Sequence, residues 1–287
     1  MIYTFIAERC SDLPVSACCR VMGVSTSGFY QRRDAPVTDR ELADAHRANL
    51  VFDIWKMSWH SYAMPRIGHE LRLGLGQGCS RTTVARLMRD CGAVGIHYRR
   101  RGGCTRPGDG DTSDDLVNRA FDPEGPDRLW VMDVTEHRTG TAKVYLAVVL
   151  DAWSRRLVGW SIADHMRAEL VADAVQMATW RRRPEPGRTI AHSDHGANYT
   201  SWLFANRLRS AGLLGPMGTI GDRFDNSVAE AFFSGLQREL LDQHHWDTRD
   251  QLAAAMFDWI ETWSNPRRRH SYNHGLNPID YETTNAA

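Results

Sequence analysis

Three acidic residues stand where an acid needs a reason. Asp133 interrupts the apolar stretch of RLWVMDVTEHR, flanked by Val131, Met132 and Val134. An ionised carboxylate there is expensive unless it is paired or bound to a cation. Asp194 closes the segment TIAHSD, and strand ends that open into loops are where α/β proteins gather their sites. Glu230 lies in DRFDNSVAEAFFSGLQREL, beside Ala229, Ala231, Phe232 and Phe233. Converging at one sheet edge, three carboxylates would give Mg²⁺ the hard oxygen ligands it prefers. Two such ions can stabilise both the attacking and the leaving oxygen of a phosphoryl transfer. Each acid also has an ordinary reading: a satisfied buried Asp, a turn or cap, a solvated helix residue. What favours the chemical one is the set and its spacing, with 60 residues between the two aspartates and 35 between Asp194 and Glu230.

The elements that must position these acids follow from periodicity. Residues 128–138 alternate and are β-rich, 143–150 (KVYLAVVL) form a nearly continuous apolar run, and 156–163 follow a turn at Asp151-Ala152-Trp153-Ser154. These predict three consecutive strands. A helix is expected from 168 to about 183, a strand at 189–193, a helix around 201–211 and a short strand near Leu213–Met217, before helices at 227–241 and 248–263. The prediction is a mixed five-stranded α/β sheet with flanking helices.

Ahead of it the pattern is helical only. LPVSACCRVMGVSTSGFYQRR gives an apolar helical stretch, a break at Gly23 and a possible cap at Ser25, a helix-turn-helix outline. DNA contact and a packing-only hairpin both fit it. Thr38 with Glu41 makes a capping box for a longer helix, and further helices are expected from Pro65 and after Ser80. Arg81, Arg86 and Arg89 on the last of these suit phosphate contacts or a solvated face equally. The Gly/Pro/Arg-rich stretch after residue 98 reads as a linker. The expected division is a helical region 1–98, a linker 99–120 and an α/β domain 121–287.

The chain has 287 residues with 35 basic and 35 acidic side chains. Zero net charge alone argues against a phosphate binder, but residues 1–110 carry +6 and the remainder −6, and 33 of the 35 basic residues are arginine. Such asymmetry points to nucleic-acid contact. The segments Arg181–Arg183 and Arg267–Arg269 are expected near the acids, where they would soften the field met by a DNA backbone. Arginine forks suit phosphate geometry. No apolar run of membrane-spanning length and no secretory leader is visible, so a cytoplasmic protein, nucleoid-associated when bound to DNA, is expected. The six cysteines, Cys10 to Cys104, show no C-x-x-C pair, which favours buried thiols over a zinc site.

The D, D, thirty-five residues, E arrangement within this strand order resembles the DDE transposase and retroviral integrase superfamily of the ribonuclease-H-like fold. The surrounding words resemble the second-reading-frame (catalytic) transposases of the IS-three insertion-sequence family: LWVMDVTEHRT, DAWSRRLVGW, AHSDHGANYTS, GDRFDNSVAEAFFSGLQREL and NPRRRHSYNHGLNP. GVSTSGFYQRR and TTVARLMRDCG are similar to that family's N-terminal helical region, so the resemblance spans essentially the whole chain.

It implies a DNA transposase that cleaves and transfers strands with divalent metal, normally two Mg²⁺ ions with Mn²⁺ as a substitute. Asp133, Asp194 and Glu230 are then both the catalytic and the metal-binding residues. Implied partners are double-stranded DNA (the element's terminal inverted repeats and its target), further copies of the chain on DNA, and an upstream-frame protein supplied as a fusion. Asp151 is expected to be structural, and Asp225 with Asn226 to cap the helix of Glu230. The chain departs from the family pattern at His195 (usually Arg), Asn198 (Gln), Ser264 (Tyr) and Asn277 (Ser). Gln237 stands where relatives carry a basic residue two turns after the glutamate, with Arg238 beside it as a substitute. A nuclease on the same fold that only hydrolyses, and a DNA-binding remnant with a decayed site, are the competing readings.

Overall fold

The computed structural model describes residues 2–35, 37–96, 123–193, 201–215 and 226–286. Three short helices come first: α1 (Ile2–Arg9), α2 (Val15–Val21) and α3 (Thr26–Asp34). Gly23 turns the chain at a φ of 66°, and Ser25 caps α3 by accepting the Gly28 N–H at 3.0 Å, as the sequence predicts. Ile6, Cys18, Cys19 and Phe29 form their small separate core.

Helix α4 (Asp39–Met57) begins with the expected capping box of Thr38 and Glu41. Helix α5 (Met64–His69) runs on into a π-helical turn, Glu70–Gly74, and α6 (Arg81–Asp90) is capped by Ser80. Val51, Ile54, Tyr62, Ile67, Leu71, Val84 and Leu87 of this segment are buried in one core with the sheet that follows. The helices from α4 onward thus share their interior with residues beyond 121, although the sequence assigns them to a separate region. The linker 99–120 lies outside the described residues.

The sheet holds β1 (Leu129–Arg138), β2 (Lys143–Asp151), β3 (Leu157–Ala163) and β4 (Ile190–Ser193) in the order β3-β2-β1-β4. β1–β2 and β2–β3 are antiparallel and β1–β4 parallel. The expected fifth strand is, among the described residues, a single parallel bridge between Ile190 and Leu214. Leu214 N–H donates to Thr189 and Ala191 N–H to Leu214, both at 2.9 Å, and residues 216 and 217 are not described.

Helix α7 (Ala168–Arg182) crosses one face with α8 (Trp202–Ser210). Its close approach to β3 needs Gly159, where a Cβ would strike the Ala174 carbonyl and lie 2.7 Å from Ala178 N. The other face carries α9 (Asn226–Glu239) and α10 (Arg249–Asp258), the latter continuing as a π-helical turn, Trp259–Ser264, before α11 (Pro278–Asn285). Side chains alternate across a strand. Leu129 and Val131 accordingly join the α9 core, whereas Trp130 and Met132 join the α7 core.

The NPRRRHSYNHGLNP segment is a backbone clamp. Asn265 accepts the Leu157 N–H and donates to the Leu157 carbonyl, each at 2.9 Å, and Asn273 donates to the Ser154 carbonyl at 2.7 Å. Asn277 caps α11 through the Asp280 N–H at 2.7 Å, so asparagine performs the capping that serine would do there. The five described cysteines are free thiols, with Cys18 and Cys19 buried. No helix among the described residues is long and apolar enough to cross a membrane.

Candidate active site

β1 is buried from Leu129 to Met132, and the half-buried Asp133 follows. By strand alternation Asp133 falls on the face of Leu129 and Val131, the face covered by α9. Its cross-strand partner, Val148, belongs to the same core. The carboxylate Oδ1 accepts the Val134 N–H at 2.7 Å. On its other side β1 pairs with β4, and the last matched pair is Met132 with Ser193. Asp194 is the next residue of the chain and lies outside the described residues, as do His195 and Asn198.

Helix α9 packs against β1 through a buried stripe of Ala229, Phe232 and Leu236. Successive helix residues are 100° apart, which leaves Glu230 exposed, one step round from Ala229. Gln237 shares the row of Glu230, and its amide donates to Asp242. Arg238 sits a further 100° round, lining a cleft of about 330 Å³ with Arg66, Arg155 and Arg268. Asp225 and the side chain of Asn226, expected caps of α9, are not described. Among the described residues no group of three or more His, Cys, Asp or Glu is gathered to hold a metal; two of the three expected ligands fall within them.

Asp151 is structural, as the sequence suggests. It is fully buried, accepting the N–H groups of Asp127 at 2.7 Å, Trp153 at 3.1 Å and Ser154 at 2.8 Å. Burial pushes its carboxyl up, against the pull of the Ser154 and Asp127 backbone donors. The arginine segments differ from expectation. Arg182 is held by Asp127 at 2.8 Å and Glu282 at 2.9 Å, Arg181 by Glu261 at 2.7 Å, and Arg269 by Glu70 at 2.5 Å. The guanidiniums of Arg182 and Arg269 balance carboxylates inside the fold because a charge taken out of water must be paired, whereas the Arg181 pair lies at the surface.

The residue the sequence reading passed over is Glu239, at the end of α9 and 5% exposed. Arg268 donates to both its oxygens, with Nε at 2.9 Å from Oε2 and Nη2 at 2.8 Å from Oε1, and Arg66 of α5 adds a bond of 2.8 Å. Gly235 leaves room for this, since a Cβ there would lie 2.8 Å from Arg268 Nη2. Burial alone would raise the Glu239 carboxyl, yet Arg268 and Arg66 outweigh it and hold the group down at about 2. The available signal was position: Glu239 follows Phe232 by seven and Leu236 by three, on the buried stripe.

The description "Integrase core domain" matches twice, over residues 123–222 and 230–285. The transposase InsF of insertion sequence IS3A from Escherichia coli (strain K12) is 34% identical over 290 residues, covering 100% of both chains. A transposase for insertion sequence element IS904 from Lactococcus lactis subsp. lactis (strain IL1403) is 36% identical over 191 residues, 66% of this chain and 72% of its own. Among solved structures, the HTLV-2 integrase catalytic core domain in complex with magnesium (dimeric form) is similar at a TM-score of 0.40 and 16% identity, covering 55% of this chain and 96% of that one. The 34% identity to InsF over the full length, together with integrase-core matches over residues 123–222 and 230–285, places this chain in the IS3 family of insertion-sequence transposases.

Proposed function

We propose that this transposase cleaves and joins DNA strands at a divalent-metal centre formed by Asp133, Asp194 and Glu230. One observation carries the reading: Asp133 stands on the α9 face of β1, one step beyond the Met132–Ser193 pair, while α9, bearing Glu230, packs on the same strand. The donors are hard carboxylate oxygens, the set suited to Mg²⁺ or Mn²⁺. Bound there, one or two such ions supply positive charge to the attacking and leaving oxygens of an in-line displacement.

The chain's own residues do the positioning. The Val134 N–H orients Asp133 on a rigid central strand, and the buried stripe of α9 fixes the rotation that turns Glu230 outward. In the reaction, water attacks phosphorus at the element's end and the 3′-oxygen leaves as a hydroxyl. That hydroxyl then attacks a second phosphodiester and releases its 3′-oxygen. The substrate is double-stranded DNA carrying the terminal inverted repeats. Helical residues 1–98 contribute DNA contact, further copies of the chain assemble on the ends, and an upstream-frame segment assists recognition. Exposed Arg20, Arg81 and Arg89 support the helical contribution.

The test is a strand-transfer assay on labelled duplexes bearing the element's ends. Asp133→Asn, Asp194→Asn and Glu230→Gln should each abolish cleavage and joining in Mg²⁺ while the protein stays folded. Parental activity in any one of them would sink the reading, and cleavage without joined product would reduce it to a nuclease.

A further inference from the structure

The buried cluster at the end of α9 does more than neutralise charge. Glu239 lies on the helix that carries Glu230, nine residues on. Arg268 comes from the C-terminal clamp and Arg66 from α5, 173 residues away in sequence. The guanidinium of Arg66 lies over the Tyr62 ring at 5.6 Å. Tyr62 in turn accepts the Arg269 N–H at 2.7 Å and packs on Trp263 at 5.4 Å between centroids. The α5 helix and Tyr62 just before it are thereby tied at one point to α9 and at another to the π-helical turn after α10 and the segment that follows it.

We propose that Arg66 is a positioning residue: through Glu239 and Arg268 it transmits the placement of the α4–α6 helices to α9, and so fixes where Glu230 stands relative to Asp133 on β1. This rests on Glu230 acting at the centre proposed above. It follows that the α4–α6 segment is part of the catalytic body, so that loading those helices with DNA and setting Glu230 are coupled through one ion cluster. The geometry also supplies a clean cut. Removing Arg66 leaves Glu239 still neutralised by three hydrogen bonds from Arg268, so only the link to α5 is lost. Arg66 is itself partly exposed, which tolerates an apolar replacement.

The experiment compares Arg66→Met, Arg66→Lys and Glu70→Gln in the full chain. Glu70→Gln breaks another buried ion pair of the same helical stretch, the one to Arg269, which does not touch α9. Four quantities are read: the unfolding midpoint, amide hydrogen exchange of peptides covering 226–239 without metal, Mn²⁺ binding by titration calorimetry, and strand-transfer turnover. Arg66→Met should speed exchange across α9 and weaken Mn²⁺ binding and turnover by roughly tenfold, the lower end of the loss known for groups bonded directly to a metal ligand, because Arg66 acts one step further out, through Glu239. Arg66→Lys, keeping one charged donor, should restore most of both. Glu70→Gln should lower the unfolding midpoint and leave α9 exchange and Mn²⁺ binding as in the parent.

The inference is overturned if Arg66→Met matches the parent in exchange and Mn²⁺ binding, or if Glu70→Gln reproduces its defects. Parental Mn²⁺ binding and turnover in Glu230→Gln would instead remove the catalytic reading on which the inference depends.

Discussion

Glu239→Gln isolates the buried charge at the end of α9. The side chain keeps its size, so what changes is the charge facing Arg268, 6% exposed, and Arg66. Two routes give its magnitude. A carboxyl held at about 2 in the fold against 4.5 unfolded contributes about 3 kcal/mol at neutral pH by linkage. Removing one member of a buried ion cluster costs about 3–5 kcal/mol, because the remaining cation is left uncompensated. The two agree, so urea unfolding at pH 7 should show a midpoint lower by about 1.5 M for a slope of about 2 kcal/mol/M. The sign with pH also follows. A lowered carboxyl stabilises above its unfolded value and loses that stabilisation as pH falls toward the folded one. The gap between parent and variant should therefore be constant above roughly pH 5 and close progressively toward pH 2. A gap that does not vary with pH, or a variant more stable than the parent at pH 7, would refute the reasoning.

Two further outcomes test the scaffold. Gly159→Ala forces a methyl against the Ala174 carbonyl and Ala178 N. Both are helix backbone, so α7 must lift, and thermal unfolding should register a loss of about 3 kcal/mol, the upper part of the usual overpacking range; a change within about 0.5 kcal/mol would mean the helix yields freely. Asn265→Ala strips both partners from the Leu157 backbone. It should cost about 2–6 kcal/mol in denaturant, at about 1–3 kcal/mol for each buried group left unmet, with turnover per folded molecule unchanged. A selective loss of turnover would assign that asparagine to the chemistry instead of the clamp.

Much of the fold could be read directly because its signals are local. The period-2 pattern around Val131, the unbroken run of β2 and the Thr38–Glu41 capping box each lie within a few residues. Asp133 was legible as a costly acid in an apolar strand, and Asp151 as a turn acid, for the same reason. The fifth strand was less so: a short apolar stretch beside Gly212 and Gly215 scores as a strand, yet only one bridge forms among the described residues. Helix α1 and the two π-helical turns left no pattern that the reading caught.

The amino-acid order by itself determined most of the element sequence and the family, and it singled out the three acids proposed as the metal centre, since periodicity and motif words are properties of neighbours along the chain. Which charges face solvent and which are spent inside the fold was decided only by the tertiary structure. Arg66 and Glu239 lie 173 residues apart, and nothing local distinguishes the buried Arg268 from the exposed Arg267 beside it. Burying a charge requires a partner, and the partner is chosen by packing. The +6 and −6 halves visible in the sequence are therefore not two separate surfaces. They meet in the pairs Arg66–Glu239 and, in the opposite sense, Glu70–Arg269, where the helical front and the α/β core share one interior.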